Sequence, residues 1–175
     1  MNLTEAIFTR HSYRGMYKPD PVPRSALQAM MESGLAAPSG CNTQTTSLIA
    51  LDDPALVAKI GGMMDKPNFA SAPAAICVLT KRILAYRDRT YYVQDYSAAI
   101  ENILLACTDL GYASCWVEGH ITDADRIGRR MADALGVPQD MELVAYLPIG
   151  VPADKPTAPK KKPFEERAWF NGYRL

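Results

Sequence analysis

The chain is poor in the residues that metal sites and disulfide scaffolds are made from. Two histidines, His11 and His120, and four cysteines, Cys41, Cys77, Cys107 and Cys115, are scattered over 175 residues without a CxxC pair. That leaves no metal-ligand spacing, and no metal is expected. Cys77 and Cys107 sit in apolar runs, where cysteine behaves as a small hydrophobe, and a reduced, cytoplasmic protein is the expectation. Net charge is missing too: 19 basic residues balance 19 acidic ones, so no global field draws nucleic acid or an anionic membrane. Met1 to Arg14 holds no apolar run long enough for a signal peptide, and no segment approaches the length of a bilayer span. Internal repeats, low-complexity tracts and a glycine-rich dinucleotide fingerprint are absent as well.

What is present is an ordinary globular composition, 48% hydrophobic and 22% charged. The length suits one domain with a real core, expected over residues 1–175. Residues 2–10 read as a helix, with Asn2 as N-cap, Glu5 at the capping-box position, and Leu3, Ala6 and Ile7 facing inward. Three prolines between Lys18 and Pro23 make a connector, and a second helix is expected from about Pro23 to Ala36. Its inward stripe is Leu27, Met30, Met31, Gly34 and Leu35. Thr46–Leu51 reads as a strand, Pro54–Ile60 as a short helix stopped at Gly61-Gly62, and Ala74–Leu79 as a central strand. Residues 81–90 are polar and basic, a loop or lid. The longest helix runs from roughly Thr90 to Leu110, and its second half is apolar nearly all round, which predicts two packing surfaces, one of them a candidate subunit interface. Ala113 to Val117 is expected as a strand. Thr122, with Asp125 three residues on, marks the start of a helix that ends at Gly136 and Pro138, and Leu143–Ile149 is the last strand. Beyond Gly150 four prolines enforce an extended chain that still carries Phe164, Trp169, Phe170 and Tyr173. A disordered tail rarely has so many aromatics, so this one is expected to wrap a surface, in a chain this small a partner's.

Three stretches carry chemistry. In Arg10-His11-Ser12-Tyr13-Arg14 an extended backbone puts Arg10, Ser12 and Arg14 on one side. Two guanidinium forks and a hydroxyl suit a phosphate, although basic residues near a helix end are also ordinary solvated surface. Pro38-Ser39-Gly40-Cys41-Asn42-Thr43-Gln44 offers the amides of Asn42 and Gln44, which either match the uracil-like edge of a flavin or hold the loop's own backbone. Gly111 to His120 ends a strand in a Glu118-Gly119 turn, where backbone can approach a planar ligand closely; Trp116 there serves the core, or the ligand. The run Lys160-Lys161-Lys162 between Pro159 and Pro163 is either a solvated charge run or, with Lys160 and Lys162 on one side, a second grip on the same phosphate.

Together these pieces resemble the FMN-dependent nitroreductase superfamily, over nearly the whole chain and in the family's order. The matching stretches are Arg-x-Ser-x-Arg at 10–14, Pro-Ser-x-x-Asn-x-Gln at 38–44, Tyr91-Tyr92-Val93-Gln94-Asp95, Gly111-Tyr112-Ala113-Ser114-Cys115-Trp116, and Gly150-Val151-Pro152 before the basic tail. The resemblance implies an α+β fold with a four- or five-stranded, mostly antiparallel sheet flanked by helices. It implies an obligate homodimer with FMN at the interface and the 151–175 tail extending onto the partner. By position, Arg10, Ser12 and Arg14 would hold the phosphate and ribityl chain, helped by Lys160 and Lys162. His11 would touch the phosphate or simply pack. The loop of Pro38, Ser39, Gly40, Asn42 and Gln44 would reach the flavin ring from the other subunit, and the Glu118-Gly119 backbone would face N5. The chain departs from the family at Thr45-Thr46, where Pro-Trp is usual. It is also short, leaving the substrate side open or lidded only by residues 81–93.

The implied activity is an FMN-dependent oxidoreductase that takes electrons from NADH or NADPH and passes them, in a ping-pong cycle, to an electron-poor small molecule such as a nitroaromatic or quinone. No protein residue is required as acid or base, since the chemistry is the cofactor's. A flavin-binding sensor or carrier without turnover is the alternative, with Cys41 as a redox-sensitive thiol or a bystander. Neutral charge and the lack of a nucleic-acid motif oppose a nucleic-acid role for the tail.

Overall fold

The computed structural model describes residues 1–122 and 126–173. Its centre is the strand β2 (Ala74–Thr80), all seven residues of which are buried. Strand β1 (Thr46–Leu51) lies on one side and β4 (Glu142–Gly150) on the other, with the two-residue β3 (Ala113–Ser114) beyond β4. The sheet order is β1-β2-β4-β3 and every pairing is antiparallel, with Cys77 opposite Ile49 and Tyr146. The unbroken apolar run of β2 follows from this interior place, because side chains of successive residues point to opposite faces and both faces are covered.

Ala74, Ile76 and Val78 meet α2 (Arg24–Leu35) and α5 (Tyr92–Asp109) through Leu27, Met30, Ile100, Ile103 and Cys107. Ala75, Cys77 and Leu79 meet α3 (Pro54–Gly62) and α7 (Ile127–Ala134) through Val57, Ile60, Ile127 and Met131. Each fully buried Leu, Ile or Met contributes about 1.5–3 kcal/mol, so two such faces supply most of the driving force. Gly34 is needed where α2 crosses α5: a Cβ there would lie 2.6 Å from Ile103 Cγ1. The remaining helices are α1 (Leu3–Thr9), α4 (Pro67–Ala70) and α6 (Gly119–Thr122).

Several expectations change. Asn2 does cap α1, accepting from the Glu5 N–H at 2.9 Å, but only Ala6 of the predicted inward trio is buried. Leu3 and Ile7 are 68% and 51% exposed, because α1 rests on α5 along one narrow line and nothing among the described residues covers its flank. Leu35 likewise points out of the α2 stripe at 59%. The predicted strand at 113–117 stops at Ser114. Cys115 and Trp116 leave the ladder, and Val117 returns through an isolated bridge to Tyr146. Thr122 ends a helix rather than starting one: its N–H donates to Glu118 O, and the next helix begins at Ile127 after Arg126 in a left-handed turn. Asp125 lies outside the described residues. The sheet itself is the expected one, four antiparallel strands flanked by helices. Past Pro152 the described chain forms no strand and one helical turn at Phe164–Glu166, with bends at 153–154 and 170–172, and Phe164, Phe170 and Tyr173 are exposed.

Candidate functional site

The extended 10–14 segment is held beside β3, where the Tyr13 N–H donates to Ser114 O at 2.8 Å. Tyr13 turns inward, edge-on to Tyr17 at 5.1 Å, with its hydroxyl donating to Met16 O. Alternation then sends Arg10, Ser12 and Arg14 the other way. Burial raises the Cys115 thiol above its ordinary range, while Arg14, a hydrogen bond with Ser12, and Arg10 pull it back. Arg10 is steadied from α5 by Glu101, Nε to Oε1 at 3.2 Å. His11 is turned to its own backbone, its Nδ1 donating to Thr9 O at 2.8 Å.

The 38–45 loop is built from left-handed backbone. Cys41, Asn42 and Gln44 have φ of 52°, 54° and 49°, a conformation costing about 1–2 kcal/mol for a residue with a Cβ, less for Asn. Ser39 Oγ accepts from the Gln44 N–H at 3.0 Å, and the Thr43 hydroxyl donates to Gly40 O at 2.9 Å. Gly40 lies so close to α5 that a Cβ would come 2.5 Å from Tyr91 Cβ. Asp95, 3% exposed, accepts from the Gly40 N–H and from the Thr45 hydroxyl, each at 2.7 Å. Pro38, Asn42 and Gln44 are exposed, with Gln44 Nε2 donating to Asn42 Oδ1 across 3.4 Å.

At the third stretch Glu118 holds the turn together. Its carboxylate accepts from the Tyr96 hydroxyl at 2.6 Å and from Trp116 Nε1 at 2.9 Å. Burial first, and then this bond, push the Tyr96 phenol well above its usual value. Trp116 is therefore both half-buried core and a hydrogen-bond donor. Gly119 opens α6, with open space where a Cβ would stand. A cavity of about 500 Å³ adjoins the turn, bounded by Arg82, Tyr92, Tyr96, Glu118, Arg129 and Glu142. The 81–90 loop at its rim is closed by a Leu84–Thr90 bridge and pinned by Arg82–Glu142 and Lys81–Asp140 ion pairs. Lys160 and Lys162 are exposed on the tail, and no described contact within the chain brings them to Arg10 and Arg14, nor the 38–45 loop to either.

These residues fit a flavin mononucleotide. Arg10 keeps its terminal nitrogens beyond the Glu101 bond, Arg14 is exposed and Ser12 stands beside them, which is a phosphate donor set. The loop displays the exposed side-chain amides of Asn42 and Gln44, which suit a polar ring edge. Among the described residues no group of three or more His, Cys, Asp or Glu is arranged for a metal, and no helix is long and apolar enough to cross a membrane.

An antiparallel sheet between helices, with these loops at its ends, is the nitroreductase fold. A solved BluB-like flavoprotein from Clostridium difficile 630 superimposes with TM-score 0.83 at 27% identity over 98% of this chain and 100% of its own. A protein from Bacteroides thetaiotaomicron, provisionally named an NADH dehydrogenase/NAD(P)H nitroreductase, does so with TM-score 0.81 at 25% identity over 98% of each chain. In sequence, an Archaeoglobus fulgidus protein with the same provisional name is 31% identical over 85% of this chain and 84% of its own. The model of the nitroreductase family matches residues 7–66 and 62–151. The chain belongs to the nitroreductase family.

Sequence reasoning passed over Asp95 and Tyr96 as site-shaping residues. One signal was available. Asp95 lies on the same helical stripe as Ala99, Ile103 and Cys107, all buried, and a carboxylate in register with a core stripe is kept there by partners.

Proposed function

We propose that this oxidoreductase binds FMN and uses NADH or NADPH to reduce an electron-poor small molecule, a nitroaromatic or a quinone, in alternating half-reactions. The observation that carries the reading is the extended 10–14 segment beside β3, whose inward Tyr13 leaves Arg10, Ser12 and Arg14 together on the other side, supported by the flavoprotein and NAD(P)H nitroreductase names of the relatives. When bound, FMN supplies the two-electron chemistry. The chain's part is to bind and orient it. Arg10, Ser12 and Arg14 take the phosphate, with Lys160 and Lys162 of the tail closing on it. Pro38, Ser39, Gly40, Asn42 and Gln44 face the ring edge, where amide N–H groups favour the reduced anion. The Glu118-Gly119 backbone, fixed by Tyr96 and Trp116, lies at the reactive edge. His11 holds the exit of α1.

The same reading makes the working unit a homodimer in a reducing cytoplasm, with residues 1–175 as one FMN-binding domain. Exposed Leu3, Ile7 and Phe8, an apolar groove at Leu105 and Ala106, and an aromatic tail without a sheet partner all call for a second copy. The test is an absorption spectrum followed by chromatography of whatever denaturation releases. One FMN per chain, lost in the Arg10→Ala/Arg14→Ala variant, is expected. A protein that stays colourless after FMN is added overturns the reading, and flavin retained without NAD(P)H oxidation assigns a carrier instead.

A further inference from the structure

The 38–45 loop adopts a backbone that its own residues disfavour, and Asp95 bonds it at both ends. Oδ1 takes the Gly40 N–H and Oδ2 takes the Thr45 hydroxyl. The residues between are those in the left-handed region, Cys41, Asn42 and Gln44. The carboxylate is 3% exposed and sits in the first turn of α5, where the helix N-terminus favours negative charge. We propose that Asp95, acting through Thr45 and Gly40, is the positioning residue that presets the 38–45 loop for the flavin. It touches neither Asn42 nor Gln44 among the described hydrogen bonds and works by fixing the points from which they are displayed.

The inference rests on the FMN reading above. A loop that must be ordered on binding pays that cost in affinity, and a preset loop does not. Removing the carboxylate of Asp95 leaves a buried N–H and a buried hydroxyl unpaired, and the loop is free to leave its left-handed turns. Losing one arm at Thr45 does this in part.

The experiment is FMN titration of apoprotein at a temperature well below unfolding, for wild type, Asp95→Ala, Thr45→Val and the double variant, with thermal midpoints recorded alongside. The expected result is an FMN dissociation constant raised about ten- to a hundredfold in Asp95→Ala. In Thr45→Val it rises about three- to tenfold, mostly through slower association. The double variant should be no worse than Asp95→Ala, because both remove the same bond. Proteolysis of the apoprotein within 38–45 should quicken in the same order. If Asp95→Ala fails to fold, Thr45→Val decides alone. Variants whose midpoints fall while FMN affinity and loop cleavage stay at wild-type values give Asp95 a merely structural role and overturn the proposal. Wild-type apoprotein that binds no FMN overturns the FMN reading instead.

Discussion

Replacing Glu118 by alanine tests whether the turn at the end of the third stretch is held by one carboxylate. In the fold that group accepts from the Tyr96 hydroxyl at 2.6 Å and from Trp116 Nε1 at 2.9 Å. A hydrogen bond to a charged group is worth roughly 1.5–3 kcal/mol, and the low end applies because Glu118 is only half-buried. Two bonds lost at the low end of that range give about 2–4 kcal/mol. In a chain of this size each kcal/mol lowers Tm by about 2–4 °C, so Glu118→Ala should melt about 4–16 °C below wild type. Glu118→Gln keeps one acceptor oxygen and should lose about half as much. The assay is thermal unfolding followed by circular dichroism on the flavin-free protein. A second readout separates this bond from general loosening. Burial and the Glu118 bond both raise the Tyr96 phenol, so without the carboxylate its tyrosinate absorbance should develop at lower pH. Glu118→Ala melting within about 1 °C of wild type, with Tyr96 ionising unchanged, would falsify the reasoning.

Phe8 is 83% exposed on α1, with Leu3 and Ile7 beside it. Wild type should sediment at twice the 19.2 kDa chain mass and Phe8→Glu at a lower mass; a monomeric wild type removes the dimer. Alkaline pH should destabilise the fold. Tyr17, Tyr146 and Tyr96 are held protonated above the ordinary phenol range, chiefly by burial. Their stabilising contribution is therefore complete below about pH 10 and lost above it, where the unfolded chain ionises first. Urea midpoints that stay level from about pH 8 to 11 would contradict this. Thiol chemistry should be selective. Burial pushes Cys77 and Cys107 up to about 12 and also raises Cys115, whereas Cys41 is exposed. A disulfide reagent should find one fast thiol in the folded protein and four in denaturant, with the fast one gone in Cys41→Ser.

Where a residue's environment was set by periodicity, the sequence could be read almost to the residue. Thr46–Leu51 is the strand expected after the Pro38–Gln44 loop, and the unbroken apolar run at 74 is the doubly covered β2. Where the environment was set by whatever lies on top, it could not. Leu3 and Ile7 satisfy the helical stripe of α1 as well as Ala6 does, but a stripe records that a surface is apolar and not what covers it. Cys115 and Trp116 belong to an apolar stretch that reads as strand, yet they leave the ladder where Trp116 turns its indole N–H to Glu118.

The site shows the same division more sharply. Its candidate displayed residues could be picked out, because Arg, Ser, Asn and Gln at spacing two carry their chemistry with them. The residues that hold the display were not, because Asp95 and Tyr96 act across 55 and 22 residues of chain. They are adjacent in the first turn of α5, and adjacent helix residues point in directions roughly 100° apart. Asp95 therefore takes the 38–45 loop on one side while Tyr96 takes the Glu118 turn on another. One helical turn thus sets two loops that share no described contact. A change that shifts this part of α5, such as a proline replacing Ala98 in the helix interior, should disturb both loops together, whereas Thr45→Val should disturb only the first.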